Sequence, residues 1–189
     1  MELTLDPRTT ALVVIDLQKA IVARDTAPRP AKEIVAENAR LAARFRAAGA
    51  LVVLVRVAFS EDDRDRLKPP SEEPPPAGPF PPDFSELAPE LDRQPSDLVI
   101  TKKQWGAFYG TELDLQLRRR GIQTIVLTGI STNFGVESTA RDGWERGYSV
   151  VFVSDAMAGF SAAAHEFAFA TVFPRIGLVR RAAELRIEN

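Results

Sequence analysis

Arg120-Gly121-Ile122-Gln123-Thr124-Ile125-Val126-Leu127 joins two kinds of secondary structure in eight residues. A cation in the last turn of a helix meets the negative end of the helix dipole, and glycine takes the left-handed position just beyond the end that other residues resist. The apolar, β-branched run that follows has the composition of a strand buried on both faces. The same grammar recurs as Arg46-Ala47-Ala48-Gly49 before Ala50-Leu51-Val52-Val53-Leu54-Val55, and as Arg146-Gly147 before Tyr148-Ser149-Val150-Val151-Phe152-Val153. Working outward, Ala11-Leu12-Val13-Val14-Ile15 opens the series, Leu98-Val99-Ile100 adds a strand and Ile176-Gly177-Leu178-Val179 closes it. Helices are predicted between these runs at about 31–48, 111–120, 134–146 and 161–173. Strands that alternate with helices make βαβ units with right-handed crossovers. The fold class is therefore α/β: a three-layer, doubly wound open sheet, mostly parallel, of about six strands with helices on both faces.

The chain has 189 residues, which suits one domain spanning 1–189. One segment interrupts the rhythm. Residues 60–95 hold ten of the fourteen prolines, Pro74-Pro75-Pro76 among them, with charges of both signs. Sheet-like runs resume at Leu98 and neither side is complete alone, so this is a long loop within the domain: a lid, a subunit contact or a plain surface excursion.

Apolar residues at 45% and charged residues at 26% are ordinary globular usage, and a net charge of −2 offers no long-range attraction to nucleic acid or anionic lipid. No apolar run is long enough to span a membrane, and the acidic start lacks the pattern of a signal peptide, so a cytoplasmic location is expected, with no nucleic-acid or membrane partner. With no cysteine there is no disulfide, thiolate metal site or cysteine nucleophile. The one histidine, His165, cannot build a multi-histidine metal site; it is read as a surface or packing residue, and no metal or cofactor is expected.

In a doubly wound sheet the ligand sits beyond the carboxyl ends of the strands near the topological switch point. Asp16 ends the first run, with Gln18 as an amide partner two residues on. Lys102 and Lys103 follow Leu98-Val99-Ile100-Thr101. Gly129-Ile130-Ser131-Thr132-Asn133-Phe134-Gly135 leads from a strand into a helix, where free backbone N–H groups can meet an anion. A carboxylate and an ammonium beside such a turn make an acid/base site.

These stretches resemble the isochorismatase-like hydrolases, or cysteine hydrolase superfamily, from about Ala11 to about Arg180. The resemblance is most specific in Val99-Ile100-Thr101-Lys102-Lys103-Gln104-Trp105-Gly106-Ala107-Phe108-Tyr109-Gly110-Thr111 and in Gly129-Ile130-Ser131-Thr132-Asn133-Phe134-Gly135-Val136-Glu137-Ser138-Thr139-Ala140. It implies that Asp16 is the catalytic Asp, and that Lys102, six residues before Phe108, is the catalytic Lys. It further implies that Gly135 stands where amidase members carry their nucleophilic Cys. A chain without that thiol cannot form a thioester, whereas cleavage of a vinyl ether such as isochorismate needs only an acid and water. The expected activity is metal-free hydrolysis of a small-molecule substrate by Asp/Lys acid–base chemistry, an ether rather than a C–N bond. The alternatives are a catalytically silent member that binds or assembles around a small metabolite, and amide hydrolysis by water activated at Asp16.

A neighbouring ammonium favours an ionised carboxylate while a general acid must be protonated, so an apolar wall is needed; Trp105, Phe108 and Phe134 are the candidates. Ser131 and Asn133 shape the pocket, and Arg56, Arg64, Arg66 and Lys68 are the cations available to a dianion. The resemblance also implies a cis peptide near Ile130-Ser131 and a homo-oligomer, dimer or tetramer, with the Pro-rich loop and the helix before Pro174 as interfaces.

Overall fold

A computed structural model describes residues 1–73 and 80–188; Pro74-Pro75-Pro76 lies outside the described residues. The strands are β1 (Leu3–Leu5), β2 (Thr10–Ile15), β3 (Leu51–Val57), β4 (Leu98–Lys102), β5 (Thr124–Ile130), β6 (Ser149–Ala158), β7 (Leu178–Arg180) and β8 (Leu185–Ile187). The α-helices are α1 (Lys19–Val22), α2 (Ala31–Ala47), α3 (Leu113–Arg119), α4 (Glu137–Glu145), α5 (Ala162–Phe167) and α6 (Phe173–Ile176).

The three Arg-Gly junctions end their helices as the sequence predicts. Gly49, Gly121 and Gly147 have φ of 75°, 67° and 83°. The residue after each glycine, Ala50, Ile122 or Tyr148, donates its N–H to the carbonyl five residues back, at Phe45, Leu117 or Gly143. That bond satisfies an orphan helix carbonyl and turns the chain directly into a strand.

Six strands form one parallel sheet in the order β4-β3-β2-β5-β6-β7. The chain winds from β2 to β3 and β4 on one side, then returns to the other side of β2 for β5, β6 and β7, so the switch point lies between β2 and β5. Alternating side chains feed two cores. Leu12, Val14, Val52 and Leu54 meet Ile34, Leu41 and Phe45 of α2 on one face. On the other, Ala11, Val13, Ile15, Val53 and Val55 meet Leu113, Leu117, Ala140 and Phe173. Each large side chain sealed in this way contributes about 1.5–3 kcal/mol.

Three details depart from the sequence reading. β1 and β8 pair as a separate parallel ribbon, and its Leu5 and Leu185 extend the α2-side core; three-residue strands are too short to show a periodicity. The third and fourth helices are not uniform α: a π-turn, Thr132–Val136, precedes α4, and another, Ala168–Val172, divides α5 from α6. The second sits just before Pro174, which has no N–H to donate and whose ring would crowd an α-helical carbonyl. The loop is also less loose than its prolines suggest. Phe59, Phe80 and Phe84 cluster at 4.2–6.2 Å between ring centres, and the Arg66 guanidinium lies 5.2 Å from the Phe80 ring.

Gly129, on β5 beside the switch point, has φ +111°, and a Cβ there would lie 2.1 Å from the Ile15 carbonyl oxygen. Gly129→Ala is expected to cost about 3 kcal/mol or more, since backbone must move. Gly121→Ala, at φ +67° with nothing within 4 Å of its Cβ, should cost only about 1–2 kcal/mol. Urea denaturation of the two variants checks the difference.

Candidate functional site

The switch point brings Asp16, Lys102 and Gly135 together. Asp16 leaves β2 with φ 53°, a left-handed conformation that few residues other than glycine adopt, while its N–H donates to the Val55 carbonyl across the end of β3. Lys102 ends β4, with β3 between it and β2, and only its long stem lets the ammonium reach across. Nζ lies 2.8 Å from Asp16 Oδ2, with side-chain exposures of 1% and 11%, and Nζ also donates to the Trp105 carbonyl. Lys103 turns away: it pairs with Asp65 of the loop at 2.7 Å and helps to hold that carboxyl at about 2.

Gly135 lies in the π-turn after β5. A Cβ on it would be 3.1 Å from both Asp16 Oδ2 and Lys102 Nζ, and 3.0 Å from Ile15 Cγ2. Backbone thus approaches the pair where any side chain would press on it. The peptide before this turn, Ile130-Ser131, is cis.

Burial raises the Asp16 carboxyl above its ordinary value, and this outweighs the opposing pull of Lys102. Oδ2 accepts from Lys102, while the buried Oδ1 has no protein partner.

The remaining sequence-predicted residues separate into three sets. Trp105 and Phe134 stay at the site's edge, through the Trp105 carbonyl on Lys102 and the peptide link from Phe134 to Gly135; their rings are 4.8 Å apart and 62% and 36% exposed. Ser131 Oγ donates to Asn133 Oδ1 at 3.1 Å, beside Gly159. Three others are corrected. Gln18 is fully buried and its amide is consumed: Nε2 donates to the Val57 and Phe84 carbonyls, and Oε1 accepts from the Val57 N–H, so it clamps strand ends and loop together. Arg56 pairs in register with Thr101 and Val57 with Lys102, so Arg56 points to the sheet face opposite Lys102, where Nε donates to Thr101 Oγ1. Phe108 is a core residue, stacked on Tyr148 at 5.7 Å and packed against Gly143.

The sequence reading missed two threonines that hold the turn. Thr139 Oγ1 donates to the Gly135 carbonyl at 2.6 Å and accepts from the Ala107 N–H at 3.1 Å, joining the Gly135 turn to the segment after Lys102. Its i+4 offset from Gly135 was the available signal. Thr132 Oγ1 lies 2.8 Å from Nδ1 of His165, which is buried against Phe169, so His165 packs rather than faces solvent. The spacing 165, 169, 173 puts three rings on one helix face.

Residues 10–184 match the isochorismatase domain. The chain belongs to the isochorismatase family. YecD of Escherichia coli O157:H7, an uncharacterized member, is 50% identical over 183 residues, covering 97% of each protein. A solved isochorismatase family protein from Burkholderia thailandensis superposes with a TM-score of 0.94 at 48% identity, covering 98% of this chain and 97% of that one. Over 70 residues, 37% of this chain and 28% of the relative, identity to the ureidoacrylate amidohydrolase RutB of Methylorubrum extorquens is 49%. The protein is accordingly an isochorismatase-family hydrolase with the family's α/β fold.

Two expectations follow from the site's construction. Gly135→Cys would give the chain a lone thiol beside the Lys102 ammonium, which favours thiolate. It is expected to react with iodoacetamide at pH 7 about tenfold faster than free cysteine, as expected for a thiol pKa lowered by about one unit or more; alkylation kinetics decide this, and an unreactive thiol would mean the pair does not act on that position. Burial lowers the His165 imidazole below its ordinary value. The folded state therefore binds the proton more weakly than the unfolded chain, and the stabilisation present above about pH 6.5 is lost as pH falls. Melting temperatures of the wild type between pH 7.5 and 5.5 should decline more steeply than those of His165→Gln.

Proposed function

We propose that this family member hydrolyses a small molecule by proton transfer from Asp16, with no covalent enzyme intermediate, and that the bond cleaved is a vinyl ether C–O bond rather than an amide. The observation that carries this reading is the Asp16 carboxyl itself, raised by burial and bonded to Lys102 through Oδ2 alone. Burial opposes the neighbouring ammonium, and this supports the acid role. Gly135 supports the same reading: the thioester route has no nucleophile in a chain without cysteine.

The proton on Oδ1 passes to the terminal alkene carbon of the substrate, and the ether oxygen's lone pair stabilises the resulting oxocarbenium ion. Water adds to that cation and returns a proton to the Asp16 carboxylate. The hemiketal then collapses to an alcohol and a ketone, so one water is consumed and the acid is regenerated. During the interval in which Asp16 is anionic, Lys102 Nζ is already in contact with Oδ2 at 2.8 Å, and no side-chain motion is needed to balance the charge.

RutB's name places an amidohydrolase among the relatives. An amide reaction here would have to use Asp16 as a base for water, and that predicts the opposite pH dependence. For the acid role, kcat is highest when Asp16 is protonated and falls as pH rises through its raised pKa. For the base role it rises across the same interval. Turnover of a panel of vinyl ethers and amides as a function of pH, with Asp16→Asn as control, tests the reading; removal of the acid is expected to cost about 10²–10⁴-fold in kcat. Activity that survives Asp16→Asn, or inertness toward every vinyl ether, overturns it.

A further inference from the structure

Arg56 faces away from Lys102, and the sheet face that it joins has a cavity of its own. About 480 Å³ opens at the β4 edge of the sheet, lined by Arg56, Arg93, Thr101, Leu87, Pro89 and Val99. Small-molecule sites typically measure about 300–1,000 Å³. Strand register explains the floor. Leu54 pairs with Val99 and Arg56 with Thr101, so alternation puts Val99 and Thr101 on the face that carries Leu54 into the α2-side core. Lys102 is the next residue of β4 and projects from the other face to reach Asp16. The cavity and the Asp16–Lys102 pair therefore lie back to back across the end of one strand.

Hydrogen bonds of the fold itself hold the walls. Leu87 bridges Gln18 in antiparallel fashion, and on either side the Lys19 N–H donates to the Glu86 carbonyl at 2.8 Å and the Ala88 N–H to the Leu17 carbonyl at 2.9 Å. Arg56 Nε donates to Thr101 Oγ1 at 3.1 Å, and Nη1 reaches the Ser85 carbonyl at 3.5 Å. These contacts orient the guanidinium without supplying a carboxylate, and Nη2 is left over. The exposed Arg93 side chain has no hydrogen bond or ion pair among the described residues. Glu86 is the one carboxylate on the lining, and Lys19 Nζ lies 2.6 Å from it. Two guanidiniums without acidic partners thus border the apolar surface of Leu87, Pro89 and Val99. A guanidinium presents a planar fork of donors that matches the two oxygens of a carboxylate.

We infer that this cavity is a second binding site, separate from the Asp16–Lys102 site, and that it takes a small organic monocarboxylate, with the carboxylate on Arg56 and Arg93 and the apolar body against Leu87, Pro89 and Val99. The anchored Arg56 and the bridged wall lower the ordering cost of binding, because neither the strand register nor the Leu87 backbone has to change to meet the ligand.

Three probes separate the contributions: benzoate carries both charge and ring, benzamide the ring alone and inorganic phosphate the charge alone. In an amide-resolved NMR titration of the nitrogen-15-labelled protein, benzoate is expected to shift the Leu87, Val99 and Thr101 amides saturably, with benzamide and phosphate binding about tenfold more weakly. Arg93→Gln, at an exposed position, and Arg56→Gln are each expected to weaken benzoate about tenfold, the loss of one charged hydrogen-bonding partner, while Asp16→Asn leaves its affinity within about twofold. Equal binding of benzamide, tighter binding of phosphate, wild-type affinity in Arg93→Gln, or no saturable shift with benzoate overturns the inference. Saturable shifts confined to Asp16, Gly135 and their neighbours also overturn it, since they assign the carboxylate to the catalytic pair. So do cavity amides that shift with protein concentration alone as a dimer forms in sedimentation, which would give this sheet edge to a second copy of the chain.

Discussion

The contact between Asp16 and Lys102 sets the terms for the switch point. A buried ion pair is not automatically stabilising, because each partner gives up water and the attraction only partly compensates; removal of one partner, however, leaves a buried group with nothing opposite it, at a cost of about 3–5 kcal/mol. This pair is made between strands that are not neighbours, with β3 between β2 and β4. The surrounding structure therefore has to hold two strand ends, a turn and a loop at fixed separations. Asp16 accepts a left-handed backbone, Gly129 lets β5 close on the Ile15 carbonyl, and Thr139 ties the Gly135 turn to Ala107. Gly129 acts at Ile15, one residue before the carboxylate, and the Gly135 turn lies directly against the carboxyl and the ammonium.

Gln18 and Lys19 show how the same point is coupled to the proline-rich segment. Gln18 binds the carbonyls at Val57 and Phe84, and Lys19 pairs with Glu86 at 2.6 Å; on the far side Lys103 pairs with Asp65. The described parts of the loop are thus attached at residues two or three positions from Asp16 and one position from Lys102. The ion pairs are exposed and individually worth little. The buried amide of Gln18 is different, because a clamp made of three satisfied hydrogen bonds cannot be released without leaving polar atoms unpaired.

The fold was legible because its signals are local. A basic residue, a glycine and an apolar run state a helix end and a buried strand in consecutive letters, and the switch point follows from the order in which such units occur. Asp16 was legible for the same reason: it is the first polar residue after a buried strand. What could not be read was direction. Whether Arg56 faces Lys102 or the opposite side depends on register, since a shift of one residue reverses the face. Whether Phe108 lines a pocket or fills a core depends on the position of Tyr148 and Gly143, distant in sequence. Gln18 looked like a ligand because amides beside strand ends often are; only the positions of Val57 and Phe84 reveal that its hydrogen bonds are already used. Thr132 and Thr139 were passed over because a threonine near a helix start is ordinary capping chemistry, and their partners lie on other segments.

The choice between proton donor and proton acceptor is finally a competition between two opposing effects on one carboxyl. An ammonium at 2.8 Å favours the anion, and burial favours the neutral acid. In a site open to water the first would win, since the attraction survives a high dielectric better than a desolvation penalty that is hardly incurred. With Asp16 buried beside the Gly135 turn, the penalty exceeds the attraction and the carboxyl is raised; in the proposed reaction the same ammonium would stabilise the anion formed on proton transfer. A side chain larger than hydrogen at residue 135 would press on both partners from 3.1 Å. The glycine thus preserves a tight contact of low solvation, the condition under which burial raises the Asp16 carboxyl.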